Sequence, residues 1–223
     1  PLVITVDTTG PDAPSDLDLV IGSDLGIAND DDITNETEPT ITGTADPHPT
    51  VTLTSDLAAA VVGTTAANVH GITFITPDVL AEGTHSLTAT TVDLAGNASL
   101  DSTALSITVD TSDPAIPSAL DLAAASDSGS ANDDDITNVT DPVITGTSDV
   151  GASITVTSTV DGAIGTATAD GAGLWTLTSS VLTEGAHDLT ATAADAAGNT
   201  SAASAALTIT VDTTAPVSYT HLR

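Results

Sequence analysis

The stretch that decides the fold is "EGTHSLTATTVDLAGN" at residues 82–97, which returns as "EGAHDLTATAADAAGN" at residues 184–199. In each copy an apolar or small residue alternates with a polar one over about six positions, which is the period-two pattern of a β-strand with one buried face. Asp, Gly and Asn follow, and these residues are typical of turns. A strand that ends in a turn is therefore predicted twice.

A second repeated stretch sets the length of the unit. "LVITVDTT" at residues 2–9 returns as "LSITVDTS" at residues 105–112 and as "LTITVDTT" at residues 207–214, so that Asp7, Asp110 and Asp212 are spaced by 103 and then 102 residues. This period is too long for a solenoid repeat and fits one independently folding domain. The chain is therefore expected to be a fragment of a longer array. The predicted parts are the last strand of a preceding repeat at 1–7, a first domain at 8–110, a second domain at 111–212, and the start of a next repeat at 213–223.

Further period-two segments occur within each repeat, including "ITGTAD", "TVTLTS" and "ALSITVD" in the first. No segment has convincing helical spacing. Several short strands with turn residues between them predict an all-β protein made of tandem immunoglobulin-like β-sandwich domains. The side chains expected to be buried, facing each other across the two sheets, are Val51, Leu53, Leu87, Ala89, Leu105 and Ile107 in the first domain, and Ile154, Val156, Leu189, Ala191, Leu207 and Ile209 in the second.

The charge of the chain is strongly one-sided. Its 31 Asp and Glu residues face a single Lys or Arg, Arg223, and it has no cysteine. Phosphate backbones and anionic membranes require clustered cations, so nucleic acid and membrane surfaces are excluded as partners. No apolar stretch approaches the roughly 20 residues of a membrane span, so direct membrane insertion is not expected. Cations are the expected partners instead.

Three residues are predicted to be structural. Trp175 in "GLWTL" is expected in the core, with Ile72 at the matching place of the first repeat. His85 and His187 begin the penultimate strand, where sandwich domains often place a tyrosine that bonds back to the backbone. A corner histidine in that role is predicted in each repeat, since one histidine per repeat is weak evidence for zinc.

An enzyme and a binding module are the two other classes of function. Paired carboxylates can serve a glycosidase, but the chain has only three aromatic residues to stack a sugar, and its carboxylates recur in repeated loops rather than in one cleft. The sequence therefore predicts no enzyme. A carbohydrate- or protein-binding Ig-like module stays open as the alternative to a structural role.

Taken together, "VDTTxP", "DDITN", "ITGTAD", "AEGTHSLTATxxDxAGN" and "LTITVD" resemble the tandem bacterial Ig-like repeats of giant secreted adhesins, of the biofilm-associated and RTX-adhesin type. The resemblance covers residues 1 to about 216. It implies a secreted, cell-surface protein whose repeats form a calcium-stiffened stalk supporting cell adhesion and biofilm formation, and a monomeric fragment whose partners are calcium ions and neighbouring repeats. The tail "VSYTHLR" at residues 217–223 departs from the family pattern and is assigned no function.

Topology predicts where the acidic residues meet. If each domain has seven strands that reverse direction at each step, the chain enters at one pole and leaves at the other. The turn after the sixth strand and the end of the second strand then lie beside the incoming aspartate, and the loop after the first strand lies beside the outgoing one. The predicted ligands are Asp7, Asp30, Asp31, Asp32, Asp46, Asp93, Asn97, Asp110, Asp133, Asp134, Asp135, Asp149, Asp195, Asn199 and Asp212.

The run "ANDDDITN", at residues 28–35 and 131–138, shows which ion would fit. Ca²⁺ takes about 6 to 8 oxygen ligands from carboxylates, Asn side chains and carbonyls and tolerates irregular geometry, whereas Mg²⁺ demands a tighter octahedron. The run lacks the Gly and distal Glu of an EF-hand loop. Calcium at the junctions between repeats is therefore predicted, with acidic loops that are merely solvated as the alternative.

Overall fold

The structure is a computed structural model and describes residues 3–129 and 131–216. The predicted atypical tail at 217–223 lies outside the described residues, as do the first two residues of the predicted leading strand. Residues 3–7, the rest of that predicted strand, form no strand in the structure. The described chain folds into β-strands, and none of its segments forms a helix of the length and apolarity that a membrane crossing requires. The predicted all-β architecture of two tandem Ig-like sandwich domains is confirmed.

Two compact units divide the chain. The first ends at Ser112 and also includes Ala196–Asn199, and the second begins at Asp113. The strands of the first unit are β1 (Ser15–Leu19), β2 (Ile33–Thr34), β3 (Ile41–Thr44), β4 (Thr50–Ser55), β5 (Ala60–Ala66), β6 (Ile72–Ile75), β7 (Gly83–Val92) and β8 (Leu105–Val109). Those of the second are β9 (Ser118–Leu122), β10 (Ile136–Thr137), β11 (Val143–Thr147), β12 (Ser153–Ser158), β13 (Gly162–Thr168), β14 (Leu174–Thr178), β15 (Gly185–Ala194) and β16 (Leu207–Val211).

Each unit is built from a three-stranded and a five-stranded sheet. In the first unit their orders are β1-β3-β6 and β2-β8-β7-β4-β5, and the second unit repeats them as β9-β11-β14 and β10-β16-β15-β12-β13. The expectation of seven strands that reverse at each step is wrong in one respect. An eighth strand of two residues, β2 or β10, pairs parallel with the end of the last strand. It arises because the chain leaves the small sheet after β1 and joins the edge of the large one.

The core lies between the two sheets of each unit. Leu53, Leu87, Ala89 and Ile107 are fully buried, as predicted, and so are their counterparts in the second unit. They do not face each other across the sandwich, however, because β4, β7 and β8 are neighbours in the same five-stranded sheet. The opposing small sheet supplies its own buried side chains, which are Leu19, Ile41 and Ile75 in the first unit.

The core position of Trp175 is confirmed, since only 2% of the residue is exposed. Its counterpart in the first unit is Thr73 and not Ile72. In the strand register Trp175 pairs with Gly146 as Thr73 pairs with Gly43, whereas Ile72 is exposed. The one-residue error matters because neighbouring residues of a strand point to opposite faces.

Both histidines are buried corner residues. The Nδ1 atom of His85 lies 2.8 Å from the Ser55 hydroxyl, and its Nε2 atom lies 2.8 Å from the backbone oxygen of Ala81. His187 makes the same pair of contacts with Ser158 and Thr183. Because a carbonyl oxygen only accepts, Nε2 of each ring carries a proton, and in the neutral ring Nδ1 accepts from the serine. Each ring thus ties its strand to the preceding loop.

Candidate functional site

Three predicted ligands of the first unit lie around one open cleft. Asp7 precedes the first strand, Asp46 follows β3, and Asp93 follows β7, and all three line a cleft of about 760 Å³ together with His48. The strand ends bring them to the same pole of the sandwich, as the topology predicted. Their side chains are exposed or half-buried, which leaves them accessible to an ion from solvent.

The turn after β7 holds Asp93 as an ionised carboxylate. The Asn97 side-chain amide donates to it at 2.9 Å, and the backbone N–H groups of Asn97 and Ala95 donate at 2.8 and 2.9 Å. These bonds, with that of the Asn97 side chain the strongest, lower the pKa of Asp93. Asn97 also donates to the backbone oxygen of Asp7 at 3.2 Å, so the turn and the incoming chain are fixed to each other.

The corresponding residues of the second repeat occupy equivalent elements. Asp149 follows β11 and accepts a 2.7 Å bond from the backbone N–H of Ala115, as Asp46 accepts one from Asp12 at 3.1 Å. Asp195 follows β15. The side chain of Asn199 donates to the backbone oxygen of Asp110 at 2.8 Å, and both residues belong to the first compact unit.

The acidic loops lie beside the ends of the last strands. In the first unit the backbone oxygen of Asp32 accepts from Thr108 at 2.8 Å, and Asp110 donates to Thr34 at 2.9 Å. The second unit repeats these bonds between Asp135 and Thr210 and between Asp212 and Thr137. Each aspartate run is thereby placed next to the outgoing aspartate of its own unit. Asp32 and Asp135 also share a left-handed backbone, with φ of 58° at both.

Sequence reasoning missed an aspartate in each of these loops. Asp24 and Asp127 are only 4% and 5% exposed, and the Oδ1 atom of each has no hydrogen-bond partner. The signal that marks them is the repeated Ser-Asp-x-Gly at residues 23–26 and 126–129. This signal is weak, because a single buried aspartate in a loop belongs to no alternating pattern of buried and exposed residues.

The charges around these buried aspartates are negative. Burial and the nearby carboxylates of Asp31, Asp30 and Asp18 raise the pKa of Asp24. Burial and the carboxylates of Asp18 and Asp24 likewise raise the pKa of Asp32.

The second unit shows the same pattern. Burial, followed by the charges of Asp121, Asp127 and Asp134, raises the pKa of Asp135. No Lys or Arg occurs before residue 223 to balance these charges.

A glutamate in each unit holds the outgoing chain. Glu82 accepts bonds from the Thr111 and Ser112 hydroxyls at 2.8 and 2.9 Å, which lower its pKa. Glu184 accepts bonds of 2.6 Å from both Thr213 and Thr214 in the same way. The first residues after β8 and β16 are therefore tied to their own domain.

The buried His187 does not act as a catalytic base, and the described residues form no closed metal shell. Ser158, His187 and Asp161 lie within hydrogen-bond or ion-pair distance, but the ring is buried and the Thr183 carbonyl occupies Nε2. No ring nitrogen is left to act on a substrate. Within residues 3–129 and 131–216, no three His, Asp or Glu side chains already form a group that could hold a metal ion. An ion would draw on backbone and amide oxygens as well, and on rotation of the exposed aspartates.

Comparison with known families gives a match over most of the chain. The model of the bacterial Ig-like domain matches residues 11–111 and again residues 114–213. The matched family is one of Ig-like modules and not of enzymes. A search of curated proteins finds no significant match.

Several solved structures are similar to the chain. The BSP domain of a biofilm-associated protein is 23% identical, with a TM-score of 0.32, over 93% of this chain and 30% of that one. The fibronectin(III)-like modules of Clostridium thermocellum CbhA are 18% identical, with a TM-score of 0.48, over 85% and 93%. A C-terminal fragment of intimin is 15% identical, with a TM-score of 0.36, over 82% and 61%. The chain thus spans 30% of the chain in the structure of the biofilm-associated protein's BSP domain.

Proposed function

The chain belongs to the bacterial Ig-like domain family, in two tandem copies, and we propose that it is a stalk segment of a bacterial cell-surface adhesin, stiffened by Ca²⁺ where one repeat follows the next. In this role it supports cell adhesion and biofilm formation by holding an adhesive part away from the cell. Its partners are calcium ions and the neighbouring repeats, and its place is outside the cell.

The observation that carries the proposal is the cleft lined by Asp7, Asp46 and Asp93. Three carboxylates line the cleft where the chain enters a domain, the Asn97 amide bonds the incoming backbone there, and the sequence has no Lys or Arg before residue 223 to neutralise the carboxylates. Hard oxygen ligands without a counter-charge suit a hard divalent cation, and Ca²⁺ accepts the irregular geometry and the added waters that such an open site requires.

Binding of Ca²⁺ would stabilise the native chain by mass action. A ligand that binds only the folded state contributes about 2.7 kcal/mol at a hundredfold excess over its Kd. Extracellular calcium modules work with Kd values of about 10⁻⁴ to 10⁻³ M. A segment that calcium stabilises and stiffens would therefore become a rigid stalk after export.

The stiffening has a local basis in the linker. "VDTSDP" at residues 109–114 is short, and the contacts of Glu82 with Thr111 and Ser112 already fix its first half to the preceding domain. What remains to be held is the start of the next repeat. A cation bound between carboxylates supplies that hold, whereas repulsion among the same carboxylates opposes it in chelator.

The test is small-angle scattering of the whole chain with calcium and with chelator. A rigid, extended particle is expected in calcium, and a more flexible one, shorter on average, in chelator. Asp110→Ala should reproduce the chelated profile even in saturating calcium. Asp101→Ala removes the same charge from an exposed loop position where the second repeat has Ala203, and it should behave as the parent.

Two outcomes would contradict the proposal. If the Asp110→Ala chain stays as extended and rigid as the parent, calcium at this junction does not stiffen the chain. If the chain captures glycans on an array under the same conditions, a binding module replaces the stalk.

A further inference from the structure

We propose that each repeat also carries a divalent-cation site inside the domain, in which the buried carboxylate of Asp24, or of Asp127 in the second repeat, is the innermost ligand of a Ca²⁺ ion. The choice of Ca²⁺ rests on the proposed function, but the site is separate from the ligands at the cleft of Asp7, Asp46 and Asp93. The acidic loop between β1 and β2 forms its outer wall.

Each repeat contains a buried carboxylate oxygen, here called the orphan oxygen, that has no hydrogen-bond partner. Only 4% of Asp24 and 5% of Asp127 is exposed, and this oxygen is the Oδ1 atom of each. A buried, unpaired carboxylate oxygen loses its hydration without compensation, and the cost in stability is larger when the group is charged. The same cost recurs at the same place in both repeats, which indicates that a partner from outside the chain satisfies both.

A backbone N–H of the acidic loop orients the buried carboxylate. The backbone N–H of Asp135 donates to the other oxygen of Asp127, Oδ2, at 3.3 Å. In the first repeat the equivalent backbone N–H, that of Asp32, offsets part of the rise that burial causes in the pKa of Asp24. One oxygen of Asp127 is thus held by the acidic loop, so this carboxylate faces the run of aspartates and not the apolar core.

Further carboxylates lie near the buried aspartates. The carboxylates of Asp18, Asp30 and Asp31 are close enough to act electrostatically on Asp24. In the second repeat Asp121, Asp127 and Asp134 act in the same way on Asp135. An arrangement of like charges around a buried carboxylate is unfavourable by itself and favourable around a divalent cation.

The chemistry of the ligands selects the ion. All the donors are carboxylate or carbonyl oxygens, without a thiol or an imidazole among them, which disfavours zinc and other soft metals. Ca²⁺ combines buried and exposed carboxylates with water at about 2.3 to 2.6 Å, and the exposed Asp30 and Asp31 leave room for water on the outer side. Mg²⁺ is the competitor that the experiment must separate.

The experiment counts ions and follows stability in three forms of the whole chain. These are the parent, the Asp24→Asn/Asp127→Asn variant, and a control variant Asp78→Asn/Asp101→Asn. The control removes two carboxylates from exposed positions where the other repeat has Ser180 or Ala203, so both variants change the net charge equally.

Calcium binding is measured by isothermal titration calorimetry with CaCl₂ and, separately, with MgCl₂, and melting temperatures are recorded in calcium and in chelator. The Asp24→Asn/Asp127→Asn variant should bind one ion fewer per repeat than the parent and lose part of the calcium-dependent rise in Tm. Its Tm in chelator should equal or exceed that of the parent, because asparagine removes a buried charge. The control should match the parent in both measurements.

Separate outcomes overturn the inference and the proposed function. If the Asp24→Asn/Asp127→Asn variant keeps the full number of ions and the full rise in Tm, the buried oxygen carries a proton and the inference fails, while the junction sites stand. If MgCl₂ binds as tightly as CaCl₂, the choice of ion is wrong. If Asp110→Ala leaves the calcium-dependent rigidity intact while Asp24→Asn/Asp127→Asn loses ions, the proposed function fails and the site inside the domain stands.

Discussion

At the scale of single residues, the buried histidines give a prediction about stability. Ser55→Ala removes the hydroxyl that donates to Nδ1 of His85 and leaves that nitrogen buried without a partner. A loss of about 1 to 3 kcal/mol in the free energy of unfolding is expected, measured by denaturant titration. Ser106→Ala, on the exposed side of β8 in the same sheet, should cost little. Equal losses in the two variants would show that the hydrogen bond is not what holds the corner.

Asp56 gives a second residue-scale prediction, concerning pH. The backbone N–H groups of Ser86 and Leu57 both donate to its carboxylate at 2.7 Å, and the bond from Ser86 is the main cause that lowers its pKa. A folded-state pKa below that of the unfolded chain adds stability above the ordinary aspartate pKa. That stability disappears as the pH falls through the folded-state pKa.

The Asp56→Asn variant should therefore melt below the parent at neutral pH, and the gap should close in acid. Melting curves followed by circular dichroism over a pH series measure it. Asp101→Asn is the control and should show no such convergence. A gap that is the same at all pH values would assign the loss to packing and not to the charge.

Which residues could be predicted follows from how local their signals are. His85 and the Asp93–Asn97 turn were predictable because each sits at a fixed place in a strand-and-turn pattern. Asp24 was not, since its burial depends on where a loop folds back, which no local spacing encodes. The counterpart of Trp175 was misplaced by one residue because flanking alternation fits either alignment until strand pairing fixes the register.

At the scale of strands and turns, period-two alternation predicted the long strands well. β4 and β7 alternate over their whole length between buried and exposed or half-buried positions. β2 could not be found in this way, because two residues are too few to show a period and its parallel partner, β8, lies more than 70 residues further along the chain. That short strand nevertheless matters for the site, since it sets the acidic loop beside the last strand.

The glycine of β11 gives a prediction at this scale. A Cβ atom at Gly146 would lie 2.3 Å from the Trp175 ring, so the ring must move if alanine is placed there. Gly146→Ala is expected to cost about 1 to 3 kcal/mol through overpacking. Trp175 is the only tryptophan of the chain, so its fluorescence during denaturant titration follows the second domain alone.

Gly43 in β3 is the matched control. A Cβ atom there would meet the end of the Leu17 side chain at 2.9 Å, the Ser15 backbone oxygen at 3.3 Å and the Thr73 hydroxyl at 3.5 Å. The nearest of these, the flexible leucine, can give way. Gly43→Ala should therefore cost less than Gly146→Ala, as measured by circular dichroism. Equal costs would show that the tryptophan ring yields as easily as the leucine.

At the scale of the whole molecule, the repeat length and the net charge could both be determined from the sequence. The spacing of Asp7, Asp110 and Asp212 predicted two tandem domains, because similar sequence segments of that length adopt the same fold. The set of ligand oxygens that lie close together was harder to predict, since the candidate ligands come from strand ends far apart in sequence. Topology brought Asp7, Asp46 and Asp93 together, whereas the buried carboxylates of the acidic loops appeared only in three dimensions.

The net charge of −30 leads to a last prediction, which separates a specific role of calcium from simple screening. In chelator, added NaCl should raise the melting temperature, because the screening length falls from about 10 Å at 0.1 M to about 3 Å at 1 M and weakens repulsion among the aspartates. Millimolar CaCl₂ adds little ionic strength, yet it should raise the melting temperature more than NaCl of matched ionic strength, since bound ions act at contact distance. Differential scanning calorimetry in the two salts measures the difference. Equal effects at matched ionic strength would leave the aspartates as solvated surface charges without a bound ion.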